Sequence, residues 1–226
     1  MVVTEIAVTQ TDCPHIDTSR KFENTYILIM NTQLIEGRQK MFSIFYSLDK
    51  VELDKALTYF SRNRRVASFS LLSKKNGIAT AFYETRATSM FLRLGITGFR
   101  IHPVVVHRGI EKWFFISSGQ EGPTASHIND KFTTVVSLKN MTQEQFFLEY
   151  PSVFYELHAL KIINNLSDVD MMLFKAATDG GFFSWPRKKS LTGLSKDLNL
   201  PKSTLSYHVR MIEQKMANML AEQLRI

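Results

Sequence analysis

The chain has 226 residues, 44% of them hydrophobic, which allows two modest globular domains or one large one. No apolar run approaches a membrane span, since Asn, Gln, Lys and Arg interrupt every candidate, and Met1-Val2-Val3-Thr4-Glu5 lacks the basic and apolar segments of a signal peptide. The single cysteine, Cys13, excludes an internal disulfide and fits a cytoplasmic protein, and the net charge of +7 favours an anionic partner.

Val2 to Thr9 alternates loosely, as a strand does. Thr11 to Asp17 reads as a loop or strand end. Cys13, His15 and Asp17 stand there at alternate positions and are possible metal ligands. No second Cys/His pair sits at ligand spacing, so no metal site is expected. Thr25 to Thr32 and Met41 to Leu48 are rich in β-branched and aromatic residues and read as strands. Asp49-Lys50 then opens a helix with Val51, Leu53, Ala56, Leu57 and Phe60 on its apolar face. Val66 to Ser73 and Ile78 to Tyr83 are strands joined through Asn76-Gly77, a strong hairpin signal. Thr85 to Leu94 reads as a helix with Met90, Phe91 and Leu94 facing inward, ending at Gly95. Phe99 to Val106 and Lys112 to Ser117 are strands joined by a turn at Arg108-Gly109.

From Met41 to Val106 the order is strand, helix, strand, strand, helix, strand, the βαββαβ order of a ferredoxin-like antiparallel sheet. On order alone it resembles small regulatory domains of the ACT type. Such a sheet would bury Phe42, Ile44, Phe60, Phe69, Phe82, Phe91 and Val105 in some combination. Ser118 to Pro123 is a loop, and Lys131 to Leu138 a further strand. Thr142 starts a helix whose stripe runs through Phe146, Phe147 and Tyr150, restarts after Pro151, and continues through Val153, Phe154, Leu157 and Ile162 to Asn165. It either covers the sheet or links the domains and pairs with a second chain.

Leu166-Ser167-Asp168 begins a C-terminal domain, with Ser167 or Asp168 as N-cap. Met171, Met172, Phe174 and Ala177 belong to a helix stopped by Asp179-Gly180-Gly181. Phe182, Phe183 and Trp185 read as a packed staple and not as a base-stacking platform. Leu191, Leu194 and Leu198 then mark a short helix, Asn199 to Pro201 a turn, and Leu205, Val209, Ile212, Met216 and Met219 the buried side of a longer helix. The opposite side shows Lys202, Ser203, Ser206, Tyr207 and Arg210. This is a helix-turn-helix whose second helix carries hydrogen-bond donors in its N-terminal half. Lys202 and Arg210 suit phosphates or guanine edges, and Ser203, Thr204 and Ser206 are short polar groups within reach of the backbone or bases. Tyr207 offers a hydroxyl and an apolar ring. Arg187, Lys188, Lys189 and Lys196 flank the motif and suit phosphate contacts. From Pro186 onward eight basic residues stand against three acidic ones, so the positive charge gathers around the motif. His208 falls on the inner edge and reads as a packing and hydrogen-bonding residue.

Leu166 to about Leu220 resembles the C-terminal domain of the bacterio-opsin-activator-type regulators of archaea. The matching residues are Leu166-Ser167, Leu173, Ala176, Gly180-Gly181-Phe182-Phe183, Pro186-Arg187, Leu194, Leu198, Leu200, Leu205, Arg210, Glu213 and Lys215. The Thr204-Leu205 and His208 spacing is also similar to the LuxR-type helix-turn-helix. Ser195 stands where such motifs carry Ala, Asn199 where they carry Gly, and Pro201 where a Ser caps the second helix. The resemblance implies a transcriptional regulator.

No G-x-S-x-G, Walker A or H-E-x-x-H pattern is present, and no catalytic residue or cofactor is expected. The expected architecture is α+β: a sensor or assembly domain over residues 1–140 with its βαββαβ core at 41–106, a connecting helix over 141–165, and an all-α helix-turn-helix domain over 166–226. The expected function is sequence-specific binding of double-stranded DNA by a homodimer, open to a small-molecule effector. The rival is a small-molecule sensor or protein-interaction module whose helix-turn-helix does not read DNA.

Overall fold

The computed structural model of the chain describes residues 2–47, 49–75, 77–94, 99–117, 122–150 and 166–224. The chain divides into two compact units, Met1–Val153 and Phe154–Ile226.

The first unit is a mixed β/α domain. Its elements are β1 Val2–Gln10, α1 Pro14–Lys21, β2 Thr25–Ile35, β3 Arg38–Ser47, α2 Lys50–Ser61, β4 Val66–Lys75, β5 Ile78–Arg86, α3 Ser89–Leu94, β6 Phe99–His107, β7 Ile110–Ser117, α4 Ala125–Ile128, β8 Thr133–Met141 and α5 Gln143–Glu149. The eight strands form one sheet in the order β4-β5-β3-β2-β6-β7-β1-β8, antiparallel at every pairing.

This order contains a repeat. The elements β1-α1-β2-β3-α2-β4 recur as β5-α3-β6-β7-α4-β8. One half of the sheet is β4-β5-β3-β2 and the other is β8-β1-β7-β6. Each half thus takes its second strand, β5 or β1, from the opposite repeat. The halves join where β2 meets β6, with Ile27 opposite Val106 and Ile29 opposite Val104.

Several expectations are corrected here. The segment 41–106 has the expected element order, but β2 lies between β3 and β6, so it does not close into a sheet of its own. The buried face is also shifted by one residue. Met41, Phe45, Tyr83, Val104 and Val106 are in the core, whereas Phe82 is 42% exposed and Phe42, Ile44 and Val105 are half-buried. Both faces of β3 carry large apolar residues, so a period of two cannot choose between them. Phe60, Phe69 and Phe91 do pack in or against the core as expected.

Thr11 to Asp17 is not a loop throughout. Cys13 is the N-cap of α1, Pro14 occupies its first turn, and His15, Ile16, Thr18 and Ser19 are buried. Polar residues on the inner face hide the helical period from sequence reasoning. Thr85 and Arg86 belong to β5, where Thr85 pairs with Gln39 and Val66. The expected helix therefore starts only at Ser89. Gly77 carries the positive φ of the expected hairpin (79°), while Asn76 lies outside the described residues. The turn at Arg108-Gly109 is present, with φ of 48° and 75°.

Thr142 opens α5 with a capping box: its hydroxyl accepts from the Gln145 N–H, and the Gln145 side chain accepts from the Thr142 N–H. The helix covers β1 and β8, and the Phe146 ring meets Phe114 at 5.9 Å. The expected continuation of the connecting helix over 151–165 lies outside the described residues.

The second unit is all-helical: α6 Asp168–Asp179, α7 Leu191–Asp197 and α8 Lys202–Leu224. Leu173, Ala177, Phe182, Leu194, Leu205, Val209 and Ile212 form its core, with Leu166, Phe174, Ala176, Leu191, Leu198, Leu200 and Met216 packed around them. Met172, expected to be part of this packing, is 54% exposed.

Candidate nucleic-acid interface

The helix-turn-helix is built by local hydrogen bonds that its sequence specifies. Ser190 caps α7, its hydroxyl accepting from the Gly193 N–H at 3.1 Å. At the other end Asn199 adopts a left-handed conformation with φ of 50°. The Asn199 N–H donates to the Lys196 carbonyl at 3.2 Å and the Leu200 N–H to the Ser195 carbonyl at 3.1 Å. That pair of bonds is the Schellman ending of a helix, here with Asn in the place Gly usually takes. Ser195 is more than a tolerated replacement for Ala, because its hydroxyl donates to the Leu200 carbonyl at 2.6 Å and satisfies the turn. Pro201 precedes α8, and its carbonyl accepts the Leu205 N–H at 3.0 Å.

The two faces of α8 separate cleanly. Leu205, Val209, Ile212 and Met219 are buried. Lys202, Ser203, Thr204, Tyr207 and Arg210 are exposed, and Ser206 is half-buried. A buried acid fixes the orientation of α8 against α6. Asp170 accepts from His208 Nδ1 at 2.8 Å and from Lys215 Nζ at 3.1 Å, and forms a capping box with Ser167. Burial alone would raise the Asp170 carboxyl, but the hydrogen bonds from His208, Ser167 and Lys215 outweigh it and hold the group well below the usual carboxylate range. His208 is therefore a packing and hydrogen-bonding residue, as its position on the inner edge suggests.

The flanking cations differ from one another. Lys188 and Lys196 are exposed. The Arg187 guanidinium sits 4.2 Å from the centroid of the Phe182 ring. Lys189 is ion-paired with Asp197, so it is not a free cation. The expected staple divides: Phe182 is buried, Phe183 is 42% exposed, and Trp185 is 97% exposed. Trp185 lies two residues before the basic run Arg187-Lys188-Lys189 in the sequence, and aromatic content alone does not distinguish such an exposed indole from core. Asp170 is equally hidden from sequence reasoning, because an acid in the first turn of a helix usually serves the helix itself.

The N-terminal domain holds a second concentration of chemistry. Cys13, His15 and Glu111 are buried together, and Asp17, the third residue of the alternate set, instead accepts from Tyr59 and Asn63 at the surface. Burial pushes the Cys13 thiol up, lowers His15 to about 3 and raises Glu111 to about 7. Glu111 is remote from this segment in sequence, so no local pattern could have found it.

No helix among the described residues is long and apolar enough to cross a membrane. No curated protein and no solved structure matches the chain. A family model described as HTH DNA binding domain matches residues 166–218, so a DNA-binding domain of the helix-turn-helix type is present there, which supports a regulatory function in general. A second model, described as HVO_2525_N, N-terminal, matches residues 3–134, more than half of the chain, and the protein belongs to that HVO_2525_N family.

Proposed function

We propose that the protein is a sequence-specific regulator of transcription that binds double-stranded DNA through α8. The observation that carries this reading is the division of α8 into a packed apolar face and an exposed face of Lys202, Ser203, Thr204, Ser206, Tyr207 and Arg210, in a domain that matches a DNA-binding family. The N-terminal half of such a helix enters the major groove, where Arg bonds guanine and an apolar ring meets the thymine methyl. Arg187, Lys188 and Lys196 contact phosphates, and Lys189 joins them once it exchanges Asp197 for DNA. The C-terminal domain is of the archaeal bacterio-opsin-activator type.

The N-terminal domain, in this reading, comprises two ferredoxin-like units that exchange their first strands. The four-strand order of each half supports it, since each is the ferredoxin order once β5 replaces β1 and β1 replaces β5. The domain regulates or assembles the DNA-binding unit. One helix-turn-helix covers a short half-site, so the functional form is a homodimer on two half-sites. Selection of bound duplexes from random DNA by the purified chain tests the function. It should return one motif with two related halves; recovery of unrelated sequences would reject the reading. Light scattering at micromolar concentration should find a dimer, and a monomer would reject that part.

A further inference from the structure

We propose that Cys13, His15 and Glu111 bind one divalent transition-metal ion of the zinc class inside the N-terminal domain. Their ligand atoms all lie within 4.8 Å of one another, and the three residues are 2%, 1% and 2% exposed. A thiolate, an imidazole and a carboxylate are the donor types that zinc takes. Cys13 Sγ lies 3.3 Å from His15 Nδ1. Two tetrahedral zinc ligands with ordinary Zn–S and Zn–N bond lengths stand roughly 3.5 Å apart.

The fold brings the three together from separate places. Cys13 and His15 stand at the start of α1, and Glu111 is the second residue of β7, opposite Val8 of the adjoining β1. The surrounding hydrogen bonds orient them as a metal site requires. His15 Nε2 is 2.7 Å from the Tyr83 hydroxyl, which is in turn 2.5 Å from Ser43 Oγ. With the proton on Nε2 donated to Tyr83, the Nδ1 lone pair is left for the ion, the arrangement that fixes metal-binding histidines. Gln10 Nε2 donates to Glu111 Oε2 at 2.5 Å, and Gln10 Oε1 accepts from the Met90 N–H at 3.3 Å.

A second observation points to a cation. Asp12 is 7% exposed, and its Oδ1 has no hydrogen-bond partner among the described residues. Its other oxygen, Oδ2, accepts from the Ser89 N–H at 2.9 Å. A bound cation would let the buried thiol and carboxyl give up their protons, and among the described residues no Lys or Arg forms an ion pair with Asp12 or Glu111 that could do so instead. Access exists as well: Cys13 lines a cavity of about 500 Å³ bordered by Thr11, Asp17, Tyr59 and the Arg62–Arg65 segment. Three protein ligands leave a position that water or a further ligand from this cavity can take.

The chain's single cysteine makes the test direct. The purified full-length protein is stripped with chelator and titrated with Co²⁺, and the thiolate-to-cobalt charge-transfer absorption in the near ultraviolet is followed. It should appear and saturate at one equivalent per chain, with Zn²⁺ displacing it. Glu111→Gln should weaken Co²⁺ binding at least about tenfold, and Cys13→Ser should remove the band. Should either variant fail to fold, the wild-type titration still decides, because only Cys13 can produce the band. A folded wild-type protein that gives no charge-transfer band with excess Co²⁺ would overturn the proposal, as would a band retained by Cys13→Ser.

Discussion

His208 Nδ1 donates to Asp170 Oδ1 across 2.8 Å, tying the exposed helix α8 to the first turn of α6. Lys215, two turns further along α8, holds the other carboxylate oxygen at 3.1 Å. Two anchors on one helix leave it little freedom to roll, so the face it presents is set by a buried charge as well as by leucine packing. Removing the acid leaves His208 and Lys215 without their acceptor. Asp170→Ala should cost about 1–3 kcal/mol, read as a lower unfolding midpoint of the helical unit in denaturant.

The same group makes the helical unit acid-sensitive. The folded Asp170 carboxyl is held below its unfolded value, which is near 3.9. Its contribution is therefore present above about pH 4 and lost as pH falls through the folded value. Calorimetry of the full chain should show the helical transition falling in temperature below pH 4, and Asp170→Asn should flatten that dependence. A wild-type slope that survives unchanged in the variant would assign the effect to other groups.

Asn199 permits a change in the opposite direction. At φ of 50° a residue with a Cβ is strained, and Gly is not. Asn199→Gly should keep the fold and the DNA affinity and change stability by at most about 1 kcal/mol, while Asn199→Val should destabilise by more than that. Thermal unfolding of the two variants checks the order.

Salt dependence tests the flanking cations. Replacing Lys196, Lys188 or Arg187 by Ala should weaken binding to all sequences alike. Each replacement should also reduce the slope of log affinity against log salt by about 0.9 for every phosphate no longer neutralised. Lys189 starts paired with Asp197. Asp197→Asn should therefore strengthen DNA binding, and Lys189→Ala should cost less than Lys196→Ala. Unchanged slopes for all four cation variants would place the DNA surface elsewhere.

Much of this molecule is legible in the sequence, and the gaps have physical causes. Leu205, Val209, Ile212 and Met219 announce α8 because one apolar face at helical spacing is what a packed helix needs. Asp49 announces α2 because its carboxylate caps Val51 and Glu52. By contrast α1 hides, since His15, Thr18 and Ser19 fill its buried face. The sheet order hides too, because the β2 to β6 pairing joins residues far apart in sequence through backbone bonds that no side-chain pattern encodes. Glu111 is not legible beside Cys13 because tertiary structure alone brings them together, and Trp185, read as part of a packed staple, is an aromatic residue left in solvent.

Trp185 gives an independent view of the interface. Trp113 is buried at 3% exposure and Trp185 is 97% exposed, so quenching by a soluble quencher reports mainly on Trp185. DNA should protect it if the Phe182–Lys189 turn borders the bound duplex. Protection that fails to develop at saturating DNA would remove this turn from the interface.

Arg210 separates reading from attraction. Arg210→Ala should cost roughly 1–3 kcal/mol at one base position and leave that position unspecified, without unfolding the domain, because the side chain is exposed. Arg210→Lys should restore a phosphate contact but not a bidentate base contact. Uniform weakening on every sequence would make Arg210 a backbone contact.

The most direct test of sequence-specific reading is the affinity of the full-length protein for its selected duplex relative to a scrambled duplex of the same length, both measured at one near-physiological salt concentration. Reading by α8 predicts a ratio of at least about 10³. A ratio near one, with both duplexes bound equally, would contradict it.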